Sequence, residues 1–352
     1  MRKLISSLTA TVLAAGTALA IFAGGASADA ATTCPGVAGP ITSSGASMFA
    51  NGQSYVPYGV TVSGLEHPNY QDFSADDAAQ ISAAQTSWCA NIIRLQVSQA
   101  QVVSGNTTYR AALQKEVRQA VDLGMAVVIN DQTQHDTAHA DTVTAATHTF
   151  WADMAARYKT YKRVIFDLLN EPTGYTVASW QAAFKPLAQE IRAASPNMIW
   201  VEGPQGAQTL AGVGPDHFMG VSNTAYEIHH PLGDHNAATW EADYGYLQGE
   251  GRPVVDGEWT NWSANRGECW TDAPTAVPAY LAWMQSKHIG MALWAIGWDE
   301  SSADYPAGYT GPAVLADGAY SNPVGFGPDW SCTTGLHQGA GQDIMNYYQA
   351  NN

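Results

Sequence analysis

The sequence contains few charged residues, and positively charged ones are the scarcer kind. Only 13% of its 352 residues are charged, and 15 Lys and Arg stand against 31 Asp and Glu, which gives a formal net charge of −16. Nucleic acids and anionic membrane surfaces bind basic surfaces, because their phosphates carry negative charge. The composition therefore argues against a nucleic-acid partner and against binding to a membrane surface.

Long apolar runs are missing beyond residue 30, because no later stretch reaches the roughly 18 apolar residues of a membrane-spanning helix. A shorter apolar run lies near the N-terminus, from about Leu8 to Ala23, after the cations Arg2 and Lys3. Small residues follow in the segment ASADA at 26–30 and fit a signal-peptidase site. The order predicts a secretory signal peptide over residues 1–30 and a secreted, extracellular mature chain over residues 31–352. A membrane anchor is the alternative.

Cysteine is scarce as well, with four residues and no CxxC pair, which argues against a four-cysteine metal site. A secreted chain meets an oxidising environment, so the sequence predicts two disulfides. Four cysteines can pair in three ways. We favour Cys34–Cys89 with Cys269–Cys332, because this pairing keeps both loops local.

Apolar, β-branched runs alternate with helical patterns along the rest of the chain. Eight such runs begin 27 to 38 residues apart, at Tyr55, Asn91, Met125, Arg163, Asn197, Thr224, Arg252 and Gly290. Amphipathic patterns fill most of the gaps, at 76–84, 108–123, 147–159, 180–194 and 275–287. Near-continuous apolar runs are typical of parallel strands that are buried on both faces. The sequence therefore predicts an α/β protein with a single (β/α)8 TIM barrel. A doubly wound open sheet is the alternative, but its usual Gly-rich phosphate turn is missing.

Two glutamates end predicted strands at the edge where such barrels carry their active sites. Glu171 ends the fourth run and Glu258 the seventh, and a carboxyl group at such a buried position is costly without a purpose. Two facing carboxyl groups are the equipment for glycoside cleavage, in which one protonates the leaving oxygen and the other attacks the sugar or activates water. The alternative is a structural ion pair or hydrogen bond.

Several motifs together resemble glycoside hydrolase family 5, a large cellulase-type family of retaining β-glycosidases. The resemblance runs from Tyr55 to about Trp298. The residues that carry it are Arg94 in NIIRLQVS, Asn170-Glu171-Pro172 in FDLLNEP, Tyr226 and His229 in YEIHH, Glu258 in VVDGEW and Trp294 in LWAIGW.

The resemblance implies that Glu171 is the acid/base and that Glu258 is the nucleophile that forms a glycosyl-enzyme intermediate. Glu171 then needs a raised pKa, and Glu258 a lowered one, which Arg94 would supply as a nearby cation. The other implied contacts are Asn170 with the sugar 2-hydroxyl, His229 beside the acid/base and Trp294 beneath the sugar.

Two positions depart from the family pattern. The family often has a His at the end of the third strand, where this chain has Asn130-Asp131-Gln132. It also often has His-x-Tyr after the sixth strand, where this chain has His229-His230-Pro231. Tyr226 or Tyr244 is the candidate to replace the missing Tyr. Further candidate sugar contacts are Gln132, His230, Trp259 and Trp298, with Trp262 and Trp270 as possible outer platforms or packing residues.

Loop histidines raise the question of a metal. The two clusters are His135, Asp136, His139 and Asp141, and His229, His230, Asp234 and His235. The His-x-His common at the first strand end of barrel metallohydrolases is missing, so we expect no metal and no cofactor. Glu202, at the end of the fifth run, is equally compatible with a site residue and with a structural hydrogen bond.

These observations predict a secreted, monomeric retaining glycoside hydrolase that cleaves β-linked glucan and resembles a cellulase or endoglucanase. Within the family, a β-mannanase, a β-1,3-glucanase or another β-glycosidase is also compatible with the sequence. Outside that chemistry, a metal-dependent barrel hydrolase and a catalytically inactive carbohydrate-binding barrel stay open. Retention predicts carboxyl groups about 5–5.5 Å apart, whereas inversion requires about 6.5–9.5 Å.

Overall fold

The computed structural model describes residues 34–66, 73–229, 236–259, 272–297, 320, 321, 323, 325 and 340–352. The chain begins with an antiparallel meander of three short strands: β1 (Ile41–Ser44), β2 (Ser47–Ala50) and β3 (Gln53–Tyr55). Eight parallel strands follow: β4 (Tyr58–Val62), β5 (Ile92–Ser98), β6 (Ala126–Gln132), β7 (Val164–Asp167), β8 (Met198–Glu202), β9 (Thr224–Ile228), β10 (Val254–Trp259) and β11 (Gly290–Leu293). They pair in chain order, and β11 returns to β4, so the sheet closes into a barrel. The (β/α)8 prediction is confirmed, and each of the eight barrel strands lies inside or overlaps a predicted run.

Helices surround the barrel: α1 (Ala75–Thr86), α2 (Gln99–Val103), α3 (Thr107–Asp122), α4 (Ala145–Tyr158), α5 (Val177–Ala194), α6 (Ala237–Asp243), α7 (Ala273–Lys287) and α8 (Ala340–Asn351). Local sequence fixes several starts, because Ser74, Thr144 and Thr176 each form a capping box with the residue three positions later. The five amphipathic patterns are confirmed as α1, α3, α4, α5 and α7. No helix in the described ranges has the length and apolar content to cross a membrane.

The N-terminal meander closes one end of the barrel, which the sequence did not lead us to expect. Ile41, Met48 and Tyr55 pack in one buried cluster with barrel residues such as Ile92 and Ile165. A disulfide joins Cys34 to Cys89 across 55 residues of sequence. In the chain-entropy treatment, a loop of that length stabilises the fold by about 4 kcal/mol. The second predicted pair, Cys269 and Cys332, lies outside the described residues.

The barrel interior changes character along the strands. Its N-terminal part, which we call the apolar half, is lined by Ile92, Ala126, Val128, Ile165, Met198, Trp200, Ala225, Val255 and Ala292. Inward-facing residues recur every second position along a strand. Two positions later the same strands carry the fully buried or nearly buried residues Arg94, Asn130, Asp167, Glu202 and Glu227. We call this C-terminal layer the charged half, and it forms the floor of the candidate site.

Candidate active site

Arg94 of β5 lies at the centre of the charged half and is fully buried. Its Nε donates to Asp167 Oδ2 at 3.2 Å, and Nη1 donates to Glu258 Oε2 at 2.5 Å. Its Nη2 donates to Asn170 Oδ1 at 2.9 Å and to Glu202 Oε1 at 3.2 Å. Burial by itself would lower the pKa of Arg94, but the surrounding carboxylates outweigh it and raise that pKa. The guanidinium is therefore a permanent positive charge beneath the site.

Two residues of β5, Arg94 and Gln96, donate hydrogen bonds to Glu258. Gln96 Nε2 donates to Glu258 Oε2 at 3.3 Å, next to the bond from Arg94, and Trp294 Nε1 donates to Gln96 Oε1 at 3.2 Å. Burial raises the pKa of Glu258, and the positive charges of His229 and Arg94 oppose that rise without cancelling it. The expected lowering of this pKa is therefore wrong, because desolvation outweighs the attraction of the cations.

Glu171 follows β7 and has a left-handed backbone conformation, with φ of 47°. Its backbone N–H donates to Glu202 Oε2 at 2.5 Å. Its carboxyl group accepts a hydrogen bond from Gln134 Nε2 at 2.7 Å on Oε2, and Oε1 lies 3.3 Å from His229 Nδ1. The side chain keeps 23% of its exposure, so it faces the mouth of the barrel.

His229 connects the mouth of the barrel to the charged layer below. Its Nδ1 faces Glu171, and its Nε2 lies 3.4 Å from Glu202 Oε1 and 3.5 Å from Glu227 Oε1. Burial alone would lower the pKa of His229, but the charges of Glu202 and Glu258 and its hydrogen bonds raise that pKa well above the usual value. The carboxyl groups around His229 therefore favour its protonated, positively charged form.

The two candidate catalytic carboxyl groups lie close together. Glu171, His229 and Glu258 each offer one side-chain atom, and these atoms all lie within 4.8 Å of one another. Oxygens of the two carboxyl groups that lie this close are compatible with the about 5–5.5 Å between the carboxyl groups of retaining glycosidases.

The same short distances make two groups of side chains geometrically able to hold a metal ion: Glu171, His229 and Glu258, and Glu202, Glu227 and His229. The adjacent guanidinium of Arg94 opposes a cation at either place, and so does the raised pKa of His229, because a histidine must lose its proton to bind a metal. In the loop after β6, Asp136 accepts hydrogen bonds from Ser98 Oγ and the Ala100 N–H, while His139 pairs with Asp141 at 2.6 Å. Asp136 and His139 in this loop therefore bind different partners and do not form a shared cluster.

Three residues that were candidates for the site lie away from it in the structure. Tyr226 points outward from β9, because it alternates with inward-facing Glu227, and its hydroxyl accepts a hydrogen bond from the Met219 N–H at 3.0 Å. Trp259 is fully buried and packs against Tyr280, so it offers no face to a sugar. Tyr244 is also buried, with its hydroxyl 2.6 Å from that of Tyr280. Their aromatic rings belong to the core between strands and helices.

The remaining candidates divide between the loop after β6 and the undescribed segments. Gln132 is buried, donates to Glu66 Oε2 at 3.2 Å and accepts the N–H of Gln134, so it shapes the loop. Gln134 supplies the contact with Glu171 beside the strand that lacks the family's His. His230, Pro231, Asp234, His235, Trp262, Trp270 and Trp298 lie outside the described residues.

Asp167, Glu227 and Gln134 belong to the site but were not singled out in the sequence. A signal existed for two of them, because Asp167 and Glu227 are acids inside otherwise apolar strand runs, and Glu227 stands two positions before His229. Glu227 also explains Gly257, where a Cβ atom would overlap the Glu227 carboxyl group. Gln134 lies in a loop, and no strand periodicity points to it.

A closed (β/α)8 barrel with two close carboxyl groups above a buried arginine defines the class of barrel glycoside hydrolases. The sequence profile of the family described as Cellulase (glycosyl hydrolase family 5) matches residues 50–300. The chain therefore belongs to glycosyl hydrolase family 5, a family of retaining enzymes.

Curated relatives agree with this family. The chain is 27% identical over 277 residues to an endoglucanase of Clostridium saccharobutylicum, covering 76% of this chain and 59% of the relative. It is 26% identical over 220 residues to endoglucanase A of Evansella cellulosilytica, covering 59% of this chain and 44% of the relative. The matches thus span about half the length of these relatives.

Solved structures share the fold at low identity. A β-glucanase of Saccharophagus degradans superposes with a TM-score of 0.68 at 18% identity, covering 88% of this chain and 94% of that one. The catalytic domain of a Thermobifida fusca endoglucanase, in complex with cellotetraose, gives 0.65 at 20% identity, covering 88% and 97%.

Proposed function

We propose that this protein is a secreted retaining glycoside hydrolase that cleaves β-linked glucan in the manner of an endoglucanase. The observation that carries the proposal is the placement of Glu171, Glu258 and His229, which bring one side-chain atom each within 4.8 Å of one another. The curated relatives named as endoglucanases and the cellotetraose complex of a structural neighbour support glucan as the substrate.

In the proposed reaction, Glu258 attacks the anomeric carbon while Glu171 donates a proton to the leaving oxygen. A glycosyl-enzyme ester on Glu258 results. Glu171 then takes a proton from water as that water attacks the ester, which restores both carboxyl groups. Because Arg94 and Gln96 both donate to Oε2 of Glu258, we assign the attack to Oε1.

Three residues are proposed to orient the sugar and the acid/base. Asn170, held by Arg94 through its Oδ1, is placed to bond the 2-hydroxyl of the sugar, a contact that strengthens in the transition state. Trp294, held through Gln96, is the proposed platform beneath the sugar. His229 keeps the Glu171 carboxyl group beside the scissile bond.

The test is a product assay with the purified protein on soluble β-1,4-glucan, β-1,3-glucan, mannan and xylan, with Glu258→Ala as control. We expect glucan cleavage that falls by about 10⁵-fold or more in the variant, as for loss of other catalytic nucleophiles. Cleavage of mannan or β-1,3-glucan alone would move the substrate assignment within the family. Sugar binding without cleavage of any polymer would instead support a carbohydrate-binding barrel.

Azide identifies the role of each carboxyl group. With a nitrophenyl β-glycoside, azide can replace the missing nucleophile of Glu258→Ala and give an α-glycosyl azide. In Glu171→Ala it attacks the glycosyl-enzyme and gives the β-glycosyl azide. The same anomer from both variants would contradict the assigned roles.

We also propose that residues 1–30 are removed on secretion, that residues 31–352 form a monomeric catalytic domain, and that no metal or cofactor takes part. The intact mass of the exported protein tests the first point, and light scattering tests the second. An unchanged rate after treatment with a chelator tests the third, because a metal-dependent barrel hydrolase would lose activity.

A further inference from the structure

Glu202 lies at the end of β8, is fully buried, and has both carboxylate oxygens facing hydrogen-bond donors. Its Oε2 accepts the backbone N–H of Glu171 at 2.5 Å. Its Oε1 accepts from Arg94 Nη2 at 3.2 Å and from Asn130 Nδ2 at 3.2 Å. One side chain therefore joins the peptide group of the proposed acid/base to the guanidinium that holds the proposed nucleophile.

The backbone at Glu171 needs such a partner. Its φ of 47° is in the left-handed region, which is unfavourable for a residue with a Cβ atom. The turn directs the Glu171 N–H towards the charged half, where an unpaired donor would be costly. A hydrogen bond from this N–H to a charged carboxylate is stronger than one to a neutral acceptor.

We infer that Glu202 is a positioning residue that fixes the acid/base Glu171 through its backbone; this inference rests on the proposed function. The carboxylate holds the peptide N–H of Glu171 in place, and the side chain of Glu171 then reaches the scissile bond from a fixed origin. The other oxygen of Glu202 binds Arg94, which in turn binds Glu258. Glu202 therefore helps to position both the acid/base and the nucleophile.

An amide cannot replace this carboxylate. Glutamine offers one acceptor oxygen and one donor NH2 group. In one orientation the NH2 group of the glutamine faces the Glu171 N–H. In the other orientation the NH2 group faces the donors of Arg94 and Asn130. Either way, one donor is set against another donor. Glu202→Gln therefore keeps the size of the side chain but breaks one of its two anchors.

Glu227 provides a matched control. It lies directly beside Glu202 in the register of β8 and β9 and is also fully buried. It lies 3.7 Å from Arg94 Nε and 3.5 Å from His229 Nε2, so it shares those neighbours. Neither contact of Glu227 involves the backbone N–H of Glu171, whose partner is Glu202, so Glu227→Gln leaves that hydrogen bond in place.

The first readout is hydrogen exchange at the Glu171 amide, which requires no activity. We expect this amide to exchange at least about tenfold faster in Glu202→Gln than in the wild type, because an NH2 group replaces its charged acceptor in one orientation of the amide and a neutral oxygen replaces it in the other. Glu227→Gln should exchange at close to the wild-type rate. A wild-type rate in Glu202→Gln would overturn the inference, whatever the enzyme cleaves.

The second readout compares two substrates. In Glu202→Gln we expect kcat on glucan to fall about 10- to 100-fold with little change in KM. The rate on a nitrophenyl β-cellobioside should fall less, because its leaving group needs no proton. An equal loss on both substrates would show a general structural role and refute positioning of the acid/base.

Glu202→Asp keeps the charge and withdraws it by one methylene group. We expect exchange and glucan kcat intermediate between wild type and Glu202→Gln, and this variant decides the question if the glutamine variant does not fold. Values for Glu202→Asp no better than those of Glu202→Gln would contradict the need for a charge. If the wild type cleaves neither substrate, the proposed function fails, and the exchange experiment still decides the role of Glu202.

Discussion

The two halves of the barrel interior are built from the same strands but differ in their side chains, which are apolar in one half and charged or polar in the other. Successive inward positions carry Ile92 then Arg94 on β5, Ile165 then Asp167 on β7, and Trp200 then Glu202 on β8. The apolar half packs against the N-terminal meander, whereas the charged half opens to the mouth of the barrel. A step of two residues therefore separates a position that stabilises the fold from one that serves the site.

The charged half also differs from the apolar half in containing many buried ionisable side chains. Together with the residues above it, this layer places Arg94 and His229 among the carboxyl groups of Asp167, Glu171, Glu202, Glu227 and Glu258. Burial raises the pKa of Asp167, Glu227 and Glu258. The layer thus buries acidic groups whose ionised forms are disfavoured by desolvation, and this is an unfavourable use of buried space. Apolar burial beneath it offsets that cost.

The largest expected effect is on catalysis at the mouth of the barrel. Glu171→Ala should lower kcat on glucan by about 10²–10⁴-fold, the usual contribution of a general acid. Its first step on a nitrophenyl glycoside should suffer much less, because that leaving group departs without a proton. Steady-state and burst kinetics on both substrates measure the difference. Equal losses would remove the acid/base role from Glu171.

Removing the central cation should damage both activity and folding. Arg94→Met leaves several buried carboxyl groups without their partner and should reduce the free energy of unfolding by about 3–5 kcal/mol. Arg110→Met removes a more exposed partner of Asp153 and should cost about 1 kcal/mol or less. Urea unfolding of both variants tests the contrast. Similar losses would mean that the charged half is not held by Arg94.

A cavity in the apolar half should lower the free energy of unfolding without lowering kcat. Ile165→Ala lies two residues before Asp167 on β7 and should lower the free energy of unfolding by about 2–5 kcal/mol. The kcat of the folded enzyme should stay near the wild-type value, because no site residue loses a partner. A loss of kcat as large as that of Arg94→Met would show that the two halves are not separable.

The smallest expected effect is a change in the pH dependence of stability. Because folding raises the pKa of Glu227, the folded state binds more protons than the unfolded state above about pH 4, and stability falls as pH rises through the raised pKa. Glu227→Gln should flatten this fall, whereas Met198→Leu in the apolar half should leave the slope unchanged. Thermal unfolding between pH 4 and 9 measures both. An unaltered slope in Glu227→Gln would indicate that Glu227 does not carry the extra proton.

The sequence by itself determined the barrel, because eight strands buried on both faces leave a periodic record of apolar runs. It also located Arg94, Glu171, His229 and Glu258, since their charges interrupt or end those runs. It could not show that Tyr226 faces the helices, because side-chain direction depends on strand register. Nor could it give the direction of the Glu258 pKa shift, which depends on how burial balances against two cations. Only tertiary structure brought Glu202 beneath the backbone of Glu171 and Gln134 to its carboxyl group, because both contacts join residues more than 30 positions apart.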